Sequence, residues 1–403
     1  MANGLGRKDE KGSRDLETID NRTKKGKNRK PRMTNLELLR CVAMMMVVVL
    51  HYLGKGNLLG DVSGESMSAV GVAAWLFESF CIVAVNVYML ISGYFLCESH
   101  FKWSRLIGLV CQVWFYSVVV GLAAAAFHLV PAEQLTTNYY VQLFFPIMMG
   151  HYWFLTAYIF LYLLLPLVTM AVKRMTEGQL RGTILLLLFV FTVSKSVLPV
   201  RLDMDAKGYD MIWYLCMFLV AAYLRKFGVP FWNKKSRSLC LYVVGSLCVF
   251  GEVMALHVIY CKTGKLGLLL TVSTEYNHIF PVLASVGLFA FFLKVKVPDR
   301  MGKFICRIAP YTLGVYLLHE NSGVRYLWPK WLGAERIASV GGLLLGTCIA
   351  VAVVFTAGII VDYLRNVLMG GVHSVLLHCP PYRNLAEKIA GMDDLWTKAG
   401  QKT

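Results

Sequence analysis

Ten apolar segments punctuate the sequence, at approximately 35–54, 70–97, 106–130, 151–172, 183–200, 211–227, 238–260, 278–297, 304–320 and 340–368. A membrane-crossing helix needs about 20 apolar residues. Lipid offers the backbone no hydrogen bonds, so only helices and closed barrels cross it. Runs this long and unalternating are not barrel strands. Composition agrees, with 57% hydrophobic residues and only 16% charged. The expected fold is all-α: a polytopic membrane bundle of about ten transmembrane helices. The seventh segment carries Glu252 and the ninth is short, so the count is good to about one.

The net charge of +17 invites a nucleic-acid reading. Position argues against it. With residues 1–34 cytosolic, 31 of the 41 Lys and Arg residues fall in cytosolic segments, 11 of them in that tail. This is the positive-inside pattern, repeated loop by loop, and it puts both termini in the cytosol. The expected organisation is a disordered basic cytosolic tail at 1–33 lying near anionic lipid, a transmembrane domain at 34–370, and a short cytosolic C-terminal tail at 371–403. The 11 cysteines are scattered with no CxxC pair, so neither a metal site nor a disulfide framework is expected. The loops are short, so chemistry is expected within the bundle.

Depth then sorts the polar residues. The first segment contains RCVAMMMVVVLH, in which ten residues separate Arg40 from His51. Eleven helical steps make three turns plus about 20°, so both side chains share a face, Arg40 toward the cytosol and His51 toward the outside. Six of the nine histidines (His51, His128, His151, His257, His278 and His319) fall at outer helix ends. Snorkelling at the interface accounts for any one of them. Glu78, in the outer half of the second span, is harder to dismiss, because a carboxylate inside a span is costly and is usually paired or functional. It is a candidate partner for His51. In the fourth span His151, Tyr158, Tyr162 and Thr169 share a stripe, as do Thr312, Tyr316 and His319 in the ninth, with Glu320 following. The second span places Asn86 and Ser92 among apolar neighbours.

With these residues in view, a resemblance becomes specific. NLELLRCVAMMMVVVLH resembles the opening R-x10-H helix of the acyltransferase type 3 family of bacterial membrane O-acyltransferases. VYMLISGYFL resembles its second-span "SG" segment, GHYWFLTAYIFLYLLLPLV its Trp-Phe-Leu helix, and YTLGVYLLHE its closing Tyr-x-x-His helix. The matches are collinear from about residue 35 to 368. One departure stands out: Asn86, Tyr88 and Met89 occupy positions where many members carry an aromatic pair. The resemblance implies an inner-membrane enzyme that takes an acyl group, usually acetyl, from cytosolic acyl-CoA and gives it to a surface or secreted glycan. It carries over Arg40, His51, Ser92, Gly93, Trp153, Tyr316 and His319 as motif positions. Glu78 rests on depth alone.

On this reading Arg40 grips a phosphate of the donor. Arg40, Asn86, Ser92 and Gly93 are the candidate donor-binding residues. His51 either takes the proton of an acceptor hydroxyl or carries the acyl group covalently. His151, Trp153, Tyr158, Tyr316, His319 and Glu320 are the candidate acceptor residues, and no metal is implied. The acceptor is left open among glycan, lipid-linked sugar, peptidoglycan precursor and small hydroxyl or amine compounds. The rival is a transporter or flippase without covalent chemistry, which would also need intramembrane Arg, His and Glu, and which predicts inverted repeats or broken helices. No clear repeat is visible between the halves.

Overall fold

A computed structural model describes residues 32–64, 66–198, 206–228 and 234–399. The tail expected at 1–33 lies outside these residues apart from Arg32 and Met33. Every regular element among the described residues is helical. The principal helices are α1 Thr34–Lys55, α2 Ala69–Cys81, α3 Ala84–Leu96, α4 Trp103–Phe115, α5 Trp153–Leu163, α6 Leu165–Arg174, α7 Glu177–Leu188, α8 Met211–Lys226, α9 Lys235–Thr263, α10 Ile279–Phe292, α11 Asp299–Ile308, α12 Thr312–His319, α13 Val340–Leu376 and α14 Pro380–Ala399.

Six helical stretches are long and apolar enough to cross a membrane: 34–55, 69–96, 103–126, 177–197, 235–263 and 340–376. The bent pair α5 and α6 would make a seventh. Helices α8, α10 and α12 have 16, 14 and 8 residues and fall short of that length, so a count of ten would need these shorter helices to cross as well. The outward faces suit lipid. Leu185, Leu186, Phe189, Leu344, Leu345, Val353 and Ile360 are all exposed. In water so much exposed apolar surface would be a liability, but against acyl chains it is matched by its surroundings.

α1 is the axis of the bundle. Its apolar run buries Leu36, Leu39, Ala43, Met44, Val47 and Val48, packing against α2, α3, α11, α12 and α13. Two interruptions matter for the site. The second span breaks at Ile82 and Val83 between α2 and α3. The fourth bends by 60° between α5 and α6, where Pro166 lacks an N–H and its ring clashes with the preceding turn. The continuous stripe expected from His151 to Thr169 is therefore cut. His151 precedes α5, and Thr169 follows the bend.

A third irregularity is the π-helical turn Tyr116–Val120, which continues α4. There Tyr116 donates its hydroxyl hydrogen to Asp362 on α13 at 3.0 Å, and its carbonyl accepts from Asn321 at 3.1 Å. Such turns free backbone groups for side-chain partners. This one anchors the segment just after α12. The boundary expected at 370 falls inside α13. Beyond it α14 docks on the start of α4, where Asp393 accepts from the Trp103 and Ser104 N–H groups at 2.6 and 3.4 Å, a carboxylate at a helix N-terminus.

Candidate active site

A cavity of about 510 Å³ lies among α1, α2, α3, α5 and α12. On α1 it is lined by Arg40, Met44, Val47, His51 and Lys55, whose spacings of three and four residues make one helical stripe. Arg40 and His51 thus face one space, separated by about 16 Å of helix rise. Arg105, Tyr158 and Thr312 line the Arg40 end, while Glu78, Trp153, Tyr209, Tyr276 and Tyr316 line the His51 end.

Two carbonyl bonds hold the ends. The Tyr88 hydroxyl donates to the Arg40 carbonyl at 2.8 Å, and Arg40 pairs with Glu37 one turn earlier at 3.0 Å. At the far end Nδ1 of His51 lies 2.8 Å from Nε2 of His319 and 3.2 Å from Oε2 of Glu320. Nδ1 of His319 lies 2.5 Å from the Val315 carbonyl. A carbonyl only accepts, so His319 carries its hydrogen on Nδ1 and accepts at Nε2. His51 must then donate from Nδ1, which leaves the lone pair on its Nε2. One backbone carbonyl on α12 thus sets the tautomer of a ring on α1.

Glu320 is the second acceptor for the same N–H. It is salt-bridged to Lys55, and Arg325 lies 3.6 Å from its other oxygen. The loop is held by further bonds: Trp328 donates to the His319 carbonyl at 3.0 Å, the Tyr152 hydroxyl to the Leu317 carbonyl at 3.0 Å, and Asn321 to the Tyr152 hydroxyl at 3.1 Å. His51, His319 and Glu320 also bring one ligand atom each within 4.8 Å of one another, a metal-like spacing. Two cations already face Glu320, which leaves its charge little attraction for a third.

The structure brings together most of the sequence-derived residues but divides their tasks. Arg40, His51, Glu78, Ser92, Trp153, Tyr158 and Tyr316 line the cavity. His319 and Glu320 stand behind His51. The Nδ1 partners of His51 are these two, not Glu78, whose Oε2 is buried without a protein partner. Asn86 is fully buried behind the wall, donating to the Tyr276 carbonyl at 2.7 Å and accepting from the Trp213 indole at 2.9 Å. It positions Tyr276 and does not line the cavity itself. Gly93 packs α3 on α8; a Cβ there would come 2.9 Å from Ala221 Cβ and 2.9 Å from Phe218 Cα. His151 accepts from the Ser322 N–H at 3.2 Å and stacks near Tyr152, outside the lining.

Lys55, Arg105, Tyr209, Tyr276 and Arg325 are additions that sequence reasoning missed. Lys55 was findable, since it is one turn past His51 on the same stripe. Arg105 lies at the cytosolic end of a span, where the positive-inside pattern alone accounts for its charge. Nothing local marks Tyr209 and Tyr276, which reach the site from between helices.

Among the described residues, a helical bundle with exposed apolar faces and a cavity lined by Arg40, His51 and Glu78 defines a multi-pass membrane protein. The chain belongs to the acyltransferase type 3 family: the family's model, an acyltransferase domain, matches residues 33–362. No curated relative and no solved structure matches the chain.

Proposed function

We propose that the protein transfers an acyl group, acetyl by preference, from cytosolic acyl-CoA to a hydroxyl of a surface or secreted glycan or a related acceptor. The observation that carries this reading is the single cavity with two arginines at one end and a tautomer-set histidine at the other. In this orientation the Arg40 end faces the cytosol and both termini lie there. Arg40 and Arg105 receive the phosphates of the donor, where a guanidinium offers a bidentate fork. The pantetheine arm runs along the α1 stripe past Ser92 and Tyr158, and about 16 Å of rise suits its extended length.

At the His51 end the acceptor hydroxyl donates its proton to His51 Nε2 while its oxygen attacks the thioester carbonyl. The C–S bond breaks, an ester forms, and the proton passes to the departing thiolate as free CoA. Glu320 stabilises the imidazolium that forms in between, as a buried carboxylate does for a catalytic histidine. The buried Tyr316 hydroxyl, which has no protein partner, is suited to donate to the developing oxyanion. Direct transfer accounts for the tautomer more simply than an acyl-histidine, although the same Nε2 lone pair would serve that route.

Breaks at 82–83 and at Leu164 are features a transporter would also have. Family membership favours transfer, and a transporter leaves the His51–His319–Glu320 arrangement without a task. Incubation of the purified protein with acyl-labelled acetyl-CoA and a polysaccharide acceptor tests the reading. Label transfer with CoA release supports it; solute uptake without CoA consumption sinks it.

A further inference from the structure

We infer that the C-terminal helix α14 completes the donor end of the cavity, with Asp393 as the positioning residue that holds Arg105 in place. The inference rests on the acyl-CoA reading and adds a residue to its donor site. Arg105, the third residue of α4, lines the Arg40 end of the cavity. Its placement depends on how firmly the first turn of α4 is formed. That turn begins without a cap of its own, because Lys102 at the N-cap position makes no side-chain capping bond. The first four N–H groups of a helix have no partner within it. Here the Trp103 and Ser104 N–H groups donate to Oδ1 of Asp393, 290 and 289 residues away in sequence, at 2.6 and 3.4 Å. The Ser104 hydroxyl donates to the other carboxylate oxygen. A carboxylate at this place also meets the positive end of the helix dipole.

A chain of rings ties the same contact to the cavity. Trp396, one turn after Asp393, packs on Phe101 with ring centroids 5.3 Å apart. Phe101 packs on Tyr162 at 5.2 Å, and Tyr162 stacks on Tyr158 at 6.0 Å. Tyr158 lines the cavity at the same end as Arg105. The Tyr162 hydroxyl accepts from the Lys102 N–H at 3.0 Å, so the start of α4 is clamped by α5 on one side and by α14 on the other. The principal packing partner of α14 is α4. Loss of the Asp393 cap therefore lets the first turn of α4 fray, and Arg105 sits in that turn. The donor must then re-form the turn before the guanidinium can grip its phosphates, at a cost bounded by what the cap is worth.

Calorimetry with acetyl-CoA and donor-dependent kinetics on the detergent-purified full chain test the inference. Asp393→Ala should weaken acetyl-CoA binding about fivefold to tenfold and raise the donor KM alike, with kcat at saturating donor and the acceptor KM unchanged. Asp393→Asn keeps an oxygen for both N–H groups and should stay within about twofold of wild type. Asp394→Asn removes the same charge from the next, exposed residue and should change nothing. Trp396→Ala loosens the same contact without touching the cap. It should weaken binding about threefold in the same pattern, and it carries the test if Asp393→Ala does not fold. Added to Arg105→Ala, Asp393→Ala should cost nothing more, because the cap acts through that guanidinium. Unchanged acetyl-CoA affinity in the folded variants, a lower kcat at unchanged donor KM, or losses that add in the double variant overturn the inference; a lower melting temperature with unchanged affinity would give α14 a purely structural role. If wild type binds acetyl-CoA and the variants bind it equally well, only the role of α14 fails. If wild type does not bind it, the donor reading fails and the inference with it.

Discussion

His51 on α1 and His319 at the end of α12 are 268 residues apart in sequence, yet their rings meet with 2.8 Å between Nδ1 and Nε2. The Val315 carbonyl fixes one ring and that ring fixes the other. Base strength and orientation at His51 are thereby properties of α12 as much as of α1.

His51→Ala should abolish acyl transfer, a loss of about 10²–10⁴-fold if the ring acts as general base. The side chain is partly open to the cavity, with 24% of its surface exposed, so expression and detergent stability should change little. Transfer at the wild-type rate would remove His51 from the chemistry.

His319→Ala leaves Glu320 as the remaining acceptor for the His51 N–H. We expect kcat to fall by about tenfold with little change in the donor KM, because the lost interaction orients the base and does not touch the donor. His319→Ala with Glu320→Gln should approach the His51→Ala level. If both single variants raise KM and spare kcat, the two residues serve binding and not the base.

Arg40→Lys should fail to restore donor binding despite keeping the charge. A guanidinium can hold a diphosphate bidentately while pairing with Glu37; an ammonium is a compact point charge. Calorimetry with acyl-CoA should give a loss of about 1.5–3 kcal/mol for Arg40→Ala, with Lys recovering only part of it. Equal affinity in wild type, Arg40→Lys and Arg40→Ala would show that the arginine serves topology alone.

Gly93→Ala separates a packing role from a donor-binding one. Its new Cβ would press on Ala221 and Phe218 at 2.9 Å, and neither neighbour has a flexible end to move. Overpacking of this kind costs about 1–3 kcal/mol, read as a lower melting temperature in detergent. Acyl-CoA affinity of the folded fraction should be unchanged; a weakened affinity at normal stability would return Gly93 to the donor site.

Reporter fusions test orientation. A reporter within 131–150 should read outside and one within 225–237 inside. Both on one side would invert the depth assignments from which the donor and acceptor ends are named.

The sequence by itself determined the helical membrane class, because spacing and length of apolar runs leave the backbone no other way to satisfy itself in lipid. It also determined that Arg40 and His51 share a face, since that follows from helical pitch alone. It brought Ser92, Trp153 and Tyr316 into view through motif resemblance, and Tyr158 through the helical stripe it shares with His151. It misjudged the partner of His51, choosing Glu78 by depth. Depth is one coordinate, and two residues at equal depth on different helices need not touch. Rotation and contact between helices come from packing, here from the break at Ile82–Val83, the bend at Pro166 and the π turn at Tyr116 that anchors Asn321. Only the tertiary structure therefore decided that His319 and Glu320 stand behind His51, and that Asn86 and Gly93 work behind the cavity wall. Those relationships are set by long-range contacts, which no periodicity within one segment encodes.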